Sequence, residues 1–320
     1  MWWMRRLRLG KDGMTMKTKQ IVRLIIWAAV GLTLCSMLAS GLIASGTGHG
    51  VFFHWFGTDY SDYACGNATV EGNIRNLDID WMAGQVTVRV AEQEGITIEE
   101  DYTGEEAGRV RYQVDGDTLR IRFSRRVGGW FWSFGNQKKA LTVTVPAHLA
   151  AQLQKVRVDS VSAAVDISGL AADTLEVDST SGAVRLAGTY HTVDAESTSG
   201  DVTFTGSCQE FTAETVSGRQ EIATGATCRE ARLDTVSGTV RFSAGAACRN
   251  IRVNTVSGDV TLYVAEQTGF TLQFDRVSGN LKSAFSMRQD GSRYVCGEGL
   301  CSIQMDSVSG DLYLKAEGQE

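Results

Sequence analysis

One short corner recurs along the second half of this chain: Asp-Thr-Val-Ser-Gly at 234–238, Asn-Thr-Val-Ser-Gly at 254–258 and Asp-Arg-Val-Ser-Gly at 275–279. Its serine falls at Ser162, Ser181, Ser199, Ser217, Ser237, Ser257, Ser278 and Ser309, at intervals of 19, 18, 18, 20, 20, 21 and 31 residues. Glycine follows as Gly182, Gly200, Gly218, Gly238, Gly258, Gly279 and Gly310, with Ala163 in the first copy. Three residues before each serine stand Asp159, Asp178, Glu196, Glu214, Asp234, Asn254, Asp275 and Asp306. A second glycine column, Gly169, Gly188, Gly206, Gly225 and Gly245, trails the serines by seven or eight residues. A unit this short cannot bury its apolar face alone, so such units stack.

Each unit reads as strand, Ser-Gly corner, strand, glycine corner. Apolar positions alternate within it, as in Ile251 and Val253, then Val260, Leu262 and Val264, the period of half-buried strands. Stacking at the ordinary inter-strand distance of about 4.8 Å makes ladders of like side chains. The expected fold is all-β, a single-stranded β-solenoid (β-helix), right-handed because parallel crossovers wind that way. The corner glycine is expected to supply a backbone conformation that a Cβ disfavours. Gln220 stands where other copies have Val or Leu, so it must find a partner inside or let its coil slip. The 31-residue gap holds residues 286–301, which predict a protruding hairpin turning at Asp290-Gly291 and covering the last coil.

Residues 69–155 carry alternating strand patterns without the repeat and predict an irregular N-terminal β region ahead of the coils at 156–316. Within it, residues 125–139 read as a long hairpin loop bearing Trp130, Phe131, Trp132 and Phe134. These rings either fold down to cap the core or make surface contact with a membrane or partner. With 35 glycines and one proline, the chain suits turns rather than a disordered linker, which uses both.

The N-terminus reads as an export signal. Residues 1–23 hold seven basic side chains against one acid, and residues 24–44 run without a charge. Twenty-one helical residues span about 30 Å, the thickness of a hydrocarbon core. The pattern predicts a cytoplasmic basic tail at 1–23, a transmembrane signal-anchor helix at 24–44, a juxtamembrane linker at 45–68 and an extracytoplasmic remainder, with 317–320 as a tail. A cleaved signal peptide, cut at Ala44-Ser45-Gly46, is the competing reading, although its apolar region should be shorter. Taking the tail's net +6 from the chain's −6 leaves −12 outside, which makes nucleic acid a poor partner.

Reaction chemistry is sparse. Cys208, Cys228 and Cys248 each precede a corner serine by nine residues and should stack as an apolar column, with a disulfide between neighbours geometrically demanding. Cys296 and Cys301 bracket a tight turn and are the disulfide candidate. One outward carboxylate per coil resembles a solvated edge more than a calcium cage, and no cluster is marked for acid–base work. The expectation is a non-enzyme with no catalytic residue, cofactor or metal.

The segment "LTVTVPAHLAAQLQKVRVDSVSAAVDI" followed by repeated "DTVSGTV" and "NTVSGDV" corners resembles the bacterial putative-adhesin domain family, a domain of unknown function. The resemblance covers roughly residues 70–316. It implies a short β-solenoid, often membrane-anchored in a bacterial envelope, without catalytic residues. The leading expectation is therefore a single-pass plasma-membrane protein whose exported solenoid is a binding or scaffolding surface. Its partner would be an envelope protein or glycan, or a second copy of itself. Envelope-stress sensing and a carbohydrate-active β-helix enzyme are the alternatives.

Overall fold

The computed structural model describes residues 60–124, 139–265, 269–291 and 293–318, all within one compact unit, Asp59–Glu320. The expected membrane span at 24–44, its flanking tail and most of the linker, and Trp130, Phe131, Trp132 and Phe134 lie outside the described residues. No helix among the described residues is long and apolar enough to cross a membrane.

Each repeat forms one coil of two strands joined by the Ser-Gly corner. Strands before the corner line up side by side in one parallel sheet: residues 76–81, 153–160, 174–179 and 192–197, then Glu210–Thr215, Glu230–Thr235, Asn250–Thr255, Cys301–Ser309 and Phe270–Ser278. Strands after the corner form the second sheet: residues 84–91, 163–168 and 184–189, then Val202–Ser207, Gln220–Thr224, Val240–Ala244, Val260–Val264, Leu312–Ala316 and Leu281–Ser283. The result is an all-β, solenoid-like stack with its core between the two sheets. Leu77, Val156, Leu175, Val193, Phe211, Ala231, Ile251, Ile303 and Leu272 form one inner ladder, all buried. Burying such a side chain stabilises by roughly 1.5–3 kcal/mol, so the aliphatic columns drive the stacking.

The corners are built differently from the expectation. Among the repeat's corner glycines only Gly279 has a left-handed φ, +117°; the others do not need glycine's dihedral freedom. They need its missing side chain. A Cβ on Gly200, Gly238 or Gly258 would lie 1.9 Å from the carbonyl oxygen of the corner glycine one coil earlier. Successive coils thus touch backbone to backbone at every corner. Ala163 is tolerated because it stacks on Gly84, whose φ of +108° marks a differently shaped first corner. Two hydroxyl columns complete the joint. Ser181 donates both its N–H and its Oγ–H to the Val161 carbonyl of the coil before, and Ser237 does the same to Val216. Two positions upstream, the buried hydroxyls of Ser179, Ser197 and Thr235 accept the N–H of Gly182, Gly200 and Gly238.

The two ends depart from a plain repeat. The first coil is the strand Asn76–Ala91, which bends at Trp81-Met82-Ala83-Gly84 and lies inside the expected irregular region. On its outer side Thr118–Arg122 and Lys139–Pro146 pair in parallel. Arg111–Asp115 and Ile96–Asp101 then cover these antiparallel. Trp81 anchors this end: it is fully buried, donates Nε1–H to the Lys139 carbonyl at 3.1 Å and meets Phe123 edge-on at 5.0 Å. At the other end chain order and spatial order part. The coil containing Ser309 lies between the coils of Ser257 and Ser278, so the chain steps over one rung and fills it last. The hairpin of Arg288–Asp290 and Arg293–Cys296 pairs antiparallel on the outer side of Phe270–Ser278.

Gln220 keeps register between Val202 and Val240. It is fully buried and donates to Thr215 Oγ1 at 3.0 Å and the Asp234 carbonyl at 2.8 Å, while its Oε1 finds no partner. A buried acceptor left unmade costs about 1–3 kcal/mol. Gln220→Val, matching its rungs above and below, is expected to raise the thermal midpoint followed by circular dichroism, whereas Gln220→Ala, which leaves a cavity, lowers it. Gly238→Ala drives a methyl into a backbone oxygen that cannot rotate away. It should destabilise by about 1–3 kcal/mol or more, a fall of roughly 2–4 °C per kcal/mol for a domain of this size; Ser237→Ala, losing one exposed hydrogen bond, should cost less.

Candidate binding face

Stacking in register decides what the outward side of the first sheet carries. Its inner residues alternate with outward ones, so the acid before each corner falls in one continuous column. In spatial order the column runs Asp80, Asp159, Asp178, Glu196, Glu214, Asp234, Asn254, Asp306 and Asp275. A neighbouring outward column holds Asp78, Arg157, Glu176, Asp194, Thr212, Arg232 and Arg252. The second sheet's outer face is different: Asp166, Arg185, Thr203, Glu221, Arg241 and Thr261 alternate in sign. One face of the coil stack is acidic and the other balanced.

Carboxylates one strand apart cannot all ionise freely. Two like charges about 4.8 Å apart repel by about 3 kcal/mol at an effective dielectric near 20. The chain offsets this partly with arginines. Arg122 lies 2.9 Å from Asp80 and 2.7 Å from Asp78. Arg157 reaches Asp159 at 2.9 Å and Asp178 at 3.2 Å, and Arg232 reaches Asp234 at 2.8 Å. Proton retention offsets the rest. Burial pushes the Asp80 carboxyl up to about 7, against the pull of Arg122 and helped by the charges of Asp159 and Asp78. Burial, a hydrogen bond with Asp159 and the charges of Asp159 and Glu196 push Asp178 up to about 8. Burial first, and neighbouring acids second, also raise Asp194, Glu196 and Glu214. Asp80 and Asp178, on either side of Asp159, thus hold protons rather than standing as independent solvated charges.

Asp78, Asp80 and Asp159 bring carboxylate oxygens within 4.8 Å of one another, spacing a cation could bridge. The Arg122 guanidinium already supplies that charge to two of them. A second buried pair, Lys139 with Glu100 at 3.2 Å, sits beside the first coil, where Lys139 also donates to the carbonyls of Ser124 and Gly108. Burial lowers the Lys139 pKa. Neither Arg122 nor the Lys139–Glu100 pair carries a local sequence signal, because their partners lie tens of residues away.

The corner serines and glycines form the structural ladder described above and border this face. The expected Cys296–Cys301 bridge is corrected: both are free thiols. Each stands opposite Phe270, Cys296 on the antiparallel side and Cys301 on the parallel side. A whole strand separates them, roughly 10 Å from two inter-strand spacings, beyond the Cα separation of about 4.4–6.8 Å that a disulfide bridges.

Stacked short coils, in-register ladders and an acidic face define a solenoid-like all-β domain. Residues 74–315 match the Toastrack DUF4097 family, and the chain belongs to that family. Among solved structures it is similar to a putative adhesin from Bacteroides fragilis, at 13% identity over 78% of this chain and 96% of that one, with a TM-score of 0.44. A putative adhesin from Parabacteroides merdae (10% identity, 78% and 96%, 0.42) and a putative lipid binding protein from Parabacteroides distasonis (13%, 79% and 95%, 0.41) are further such structures. No curated protein matches the chain. The family assignment rests on the family match.

Asp80 and Asp178 hold protons in the folded chain to about pH 7 and 8, whereas an unfolded aspartate releases its own near 4. Between those values the folded state binds more protons, so stability falls as pH rises from about 4 to 8. The thermal midpoint is expected to be several degrees higher at pH 5.5 than at pH 8.5. Asp178→Asn, which imitates the protonated form, should raise the midpoint at pH 8.5 and shrink that difference.

Proposed function

We propose that this chain is a non-enzymatic binding module whose acidic sheet face docks a lysine- and arginine-rich protein segment at the bacterial cell envelope. The observation that supports it most is the carboxylate ladder on one face only, interrupted at Asn254, with Glu196 and Glu214 at its middle and Asp194 in the column beside them. There Arg232 stands 3.9 Å from Glu214, burial and neighbouring acids raise the pKa of all three carboxyls, and an incoming cation would relieve the repulsion among them. A backbone locked corner to corner presents those charges at a fixed repeat, so a partner pays no ordering entropy on the solenoid's side. In this reading the right-handed solenoid is held outside the bilayer by the charge-free stretch at 24–44, with the basic residues 1–23 in the cytoplasm. The carboxyls poised near neutral pH favour a second reading, in which proton occupancy of the same face reports envelope acidity to a membrane partner.

Full-length protein in detergent is expected to bind an immobilised lysine–arginine peptide and to release it as salt rises, since exposed charge attraction is screened over about 8–10 Å. An Asp194→Asn, Glu196→Gln, Glu214→Gln variant with an intact melting transition should bind at least tenfold more weakly. Equal binding by the variant, or preference for neutral glycans, would count against the acidic face. Location is read separately. An epitope tag after residue 316 should be removed by protease added to cells with a permeable wall and an intact membrane; a protected tag would refute export.

A further inference from the structure

Four thiols in consecutive coils form a second column, inside the stack at the loops that precede the first sheet. Cys208, Cys228 and Cys248 each stand two residues before in-register partners, Glu210, Glu230 and Asn250. Sequence spacing ends the column there. The inserted last coil extends it: the exchange of rung order pairs Ser302 with Asn250, which brings Cys301 beside Cys248, and each thiol shifts the other's pKa. Cys208 and Cys248 on either side likewise lower the Cys228 pKa. All four are free thiols, each no more than 1% exposed.

We propose that this column is a redox site in which neighbouring coils are joined by two disulfides, Cys208–Cys228 and Cys248–Cys301. Coils one inter-strand spacing apart, about 4.8 Å, fall inside the Cα range of about 4.4–6.8 Å that a disulfide accepts. Cys208, Cys228 and Cys248 lie in the loops between strands and not in the strands themselves, where the backbone can adjust to the bond's dihedral. Four thiols in a line pair completely in one way only. A central Cys228–Cys248 bond would strand both end thiols. The second bond has a structural consequence the first lacks: it ties the last-filled rung to the coil it lies against, closing a loop from 248 to 301 around the outermost coil. Each bond forms by exchange with an oxidised small-molecule disulfide. Two protein thiols lose two electrons and two protons, one protein S–S bond forms, and the reagent leaves as two thiols. Because the folded column excludes solvent, the exchange belongs to folding and not to the finished domain. The proposal draws on export only for the oxidising compartment; the pairing itself stands on the stack.

The test is differential alkylation of the full chain. Protein unfolded in denaturant with reductant is refolded with mixed reduced and oxidised glutathione, and folding is verified by a cooperative melt. It is then unfolded again without reductant and treated with N-ethylmaleimide. Cys35, Cys65 and Cys296 are expected to be labelled, while Cys208, Cys228, Cys248 and Cys301 stay protected until reductant is added, with peptide mapping showing 208–228 and 248–301 links. Reduction should lower the thermal midpoint by several degrees, and a Cys208→Ser, Cys228→Ser, Cys248→Ser, Cys301→Ser variant should show no such change. A column fully labelled before reduction in folded protein overturns the proposal, as does a dominant 228–248 link. The same mapping on chain extracted from cells under N-ethylmaleimide covers a refolding failure: protected pairs there support the site, and four labelled thiols overturn it. Neither outcome depends on whether the epitope tag is cleaved, so export and pairing fail separately.

Discussion

Everything in this structure depends on how closely one coil approaches the next at the corners. There the glycine of each coil rests on a carbonyl oxygen of the coil before, at a distance that leaves no room for a methyl group. That contact fixes the rise per coil at the strand spacing and holds the two parallel sheets in register from 76 to 316. Two hydroxyls ahead of the glycine finish the joint, one accepting an N–H within the corner and one donating to the previous coil. The apolar ladders supply the driving force, and the corner decides that they stack without slipping.

The same register that makes the core orderly makes the outer face unusual. A single acid per unit, unremarkable in any one coil, becomes a row of carboxylates at strand spacing once the units stack. Arginines relieve the row at Asp80, Asp159 and Asp234, and retained protons relieve it at Asp80 and Asp178. The face is thus charged, stiff and sensitive to pH near neutrality, three properties that follow from one geometric fact. Its middle, where burial and neighbouring acids raise Asp194, Glu196 and Glu214 together, is the part most able to gain from a basic ligand.

Both ends show how a repeat stack ends without inviting another strand. At the start, parallel and then antiparallel strands from residues 96–146 cover the first coil, with Trp81 and the Lys139–Glu100 pair beneath them. At the finish, a hairpin lies against the outermost strand and the final coil is tucked inside it. That inserted rung completes the thiol column as well as the aliphatic one, so one topological step serves packing and sulfur chemistry together.

Much of this was legible in the residues themselves. The interval of the Ser-Gly corner, the alternation around Ile251 and Val260 and the recurring acid together dictate short parallel coils with an apolar inside and a carboxylate edge, because each of those signals is local and survives in any stack. Other features carry no local mark. Asn76–Ala91 is a coil without a Ser-Gly corner, recognisable only from what it pairs with. The corner glycine's role could be told from an ordinary turn glycine's only by the distance to the neighbouring carbonyl. Cys296 and Cys301 are close along the chain yet on opposite sides of Phe270. The rung order is the clearest case: a repeat unit looks alike whichever slot it occupies, so only contacts among distant segments could place residues 301–316 inside residues 270–283. Local chemistry determined the coil; long-range packing decided the order of the coils and, through it, which side chains meet.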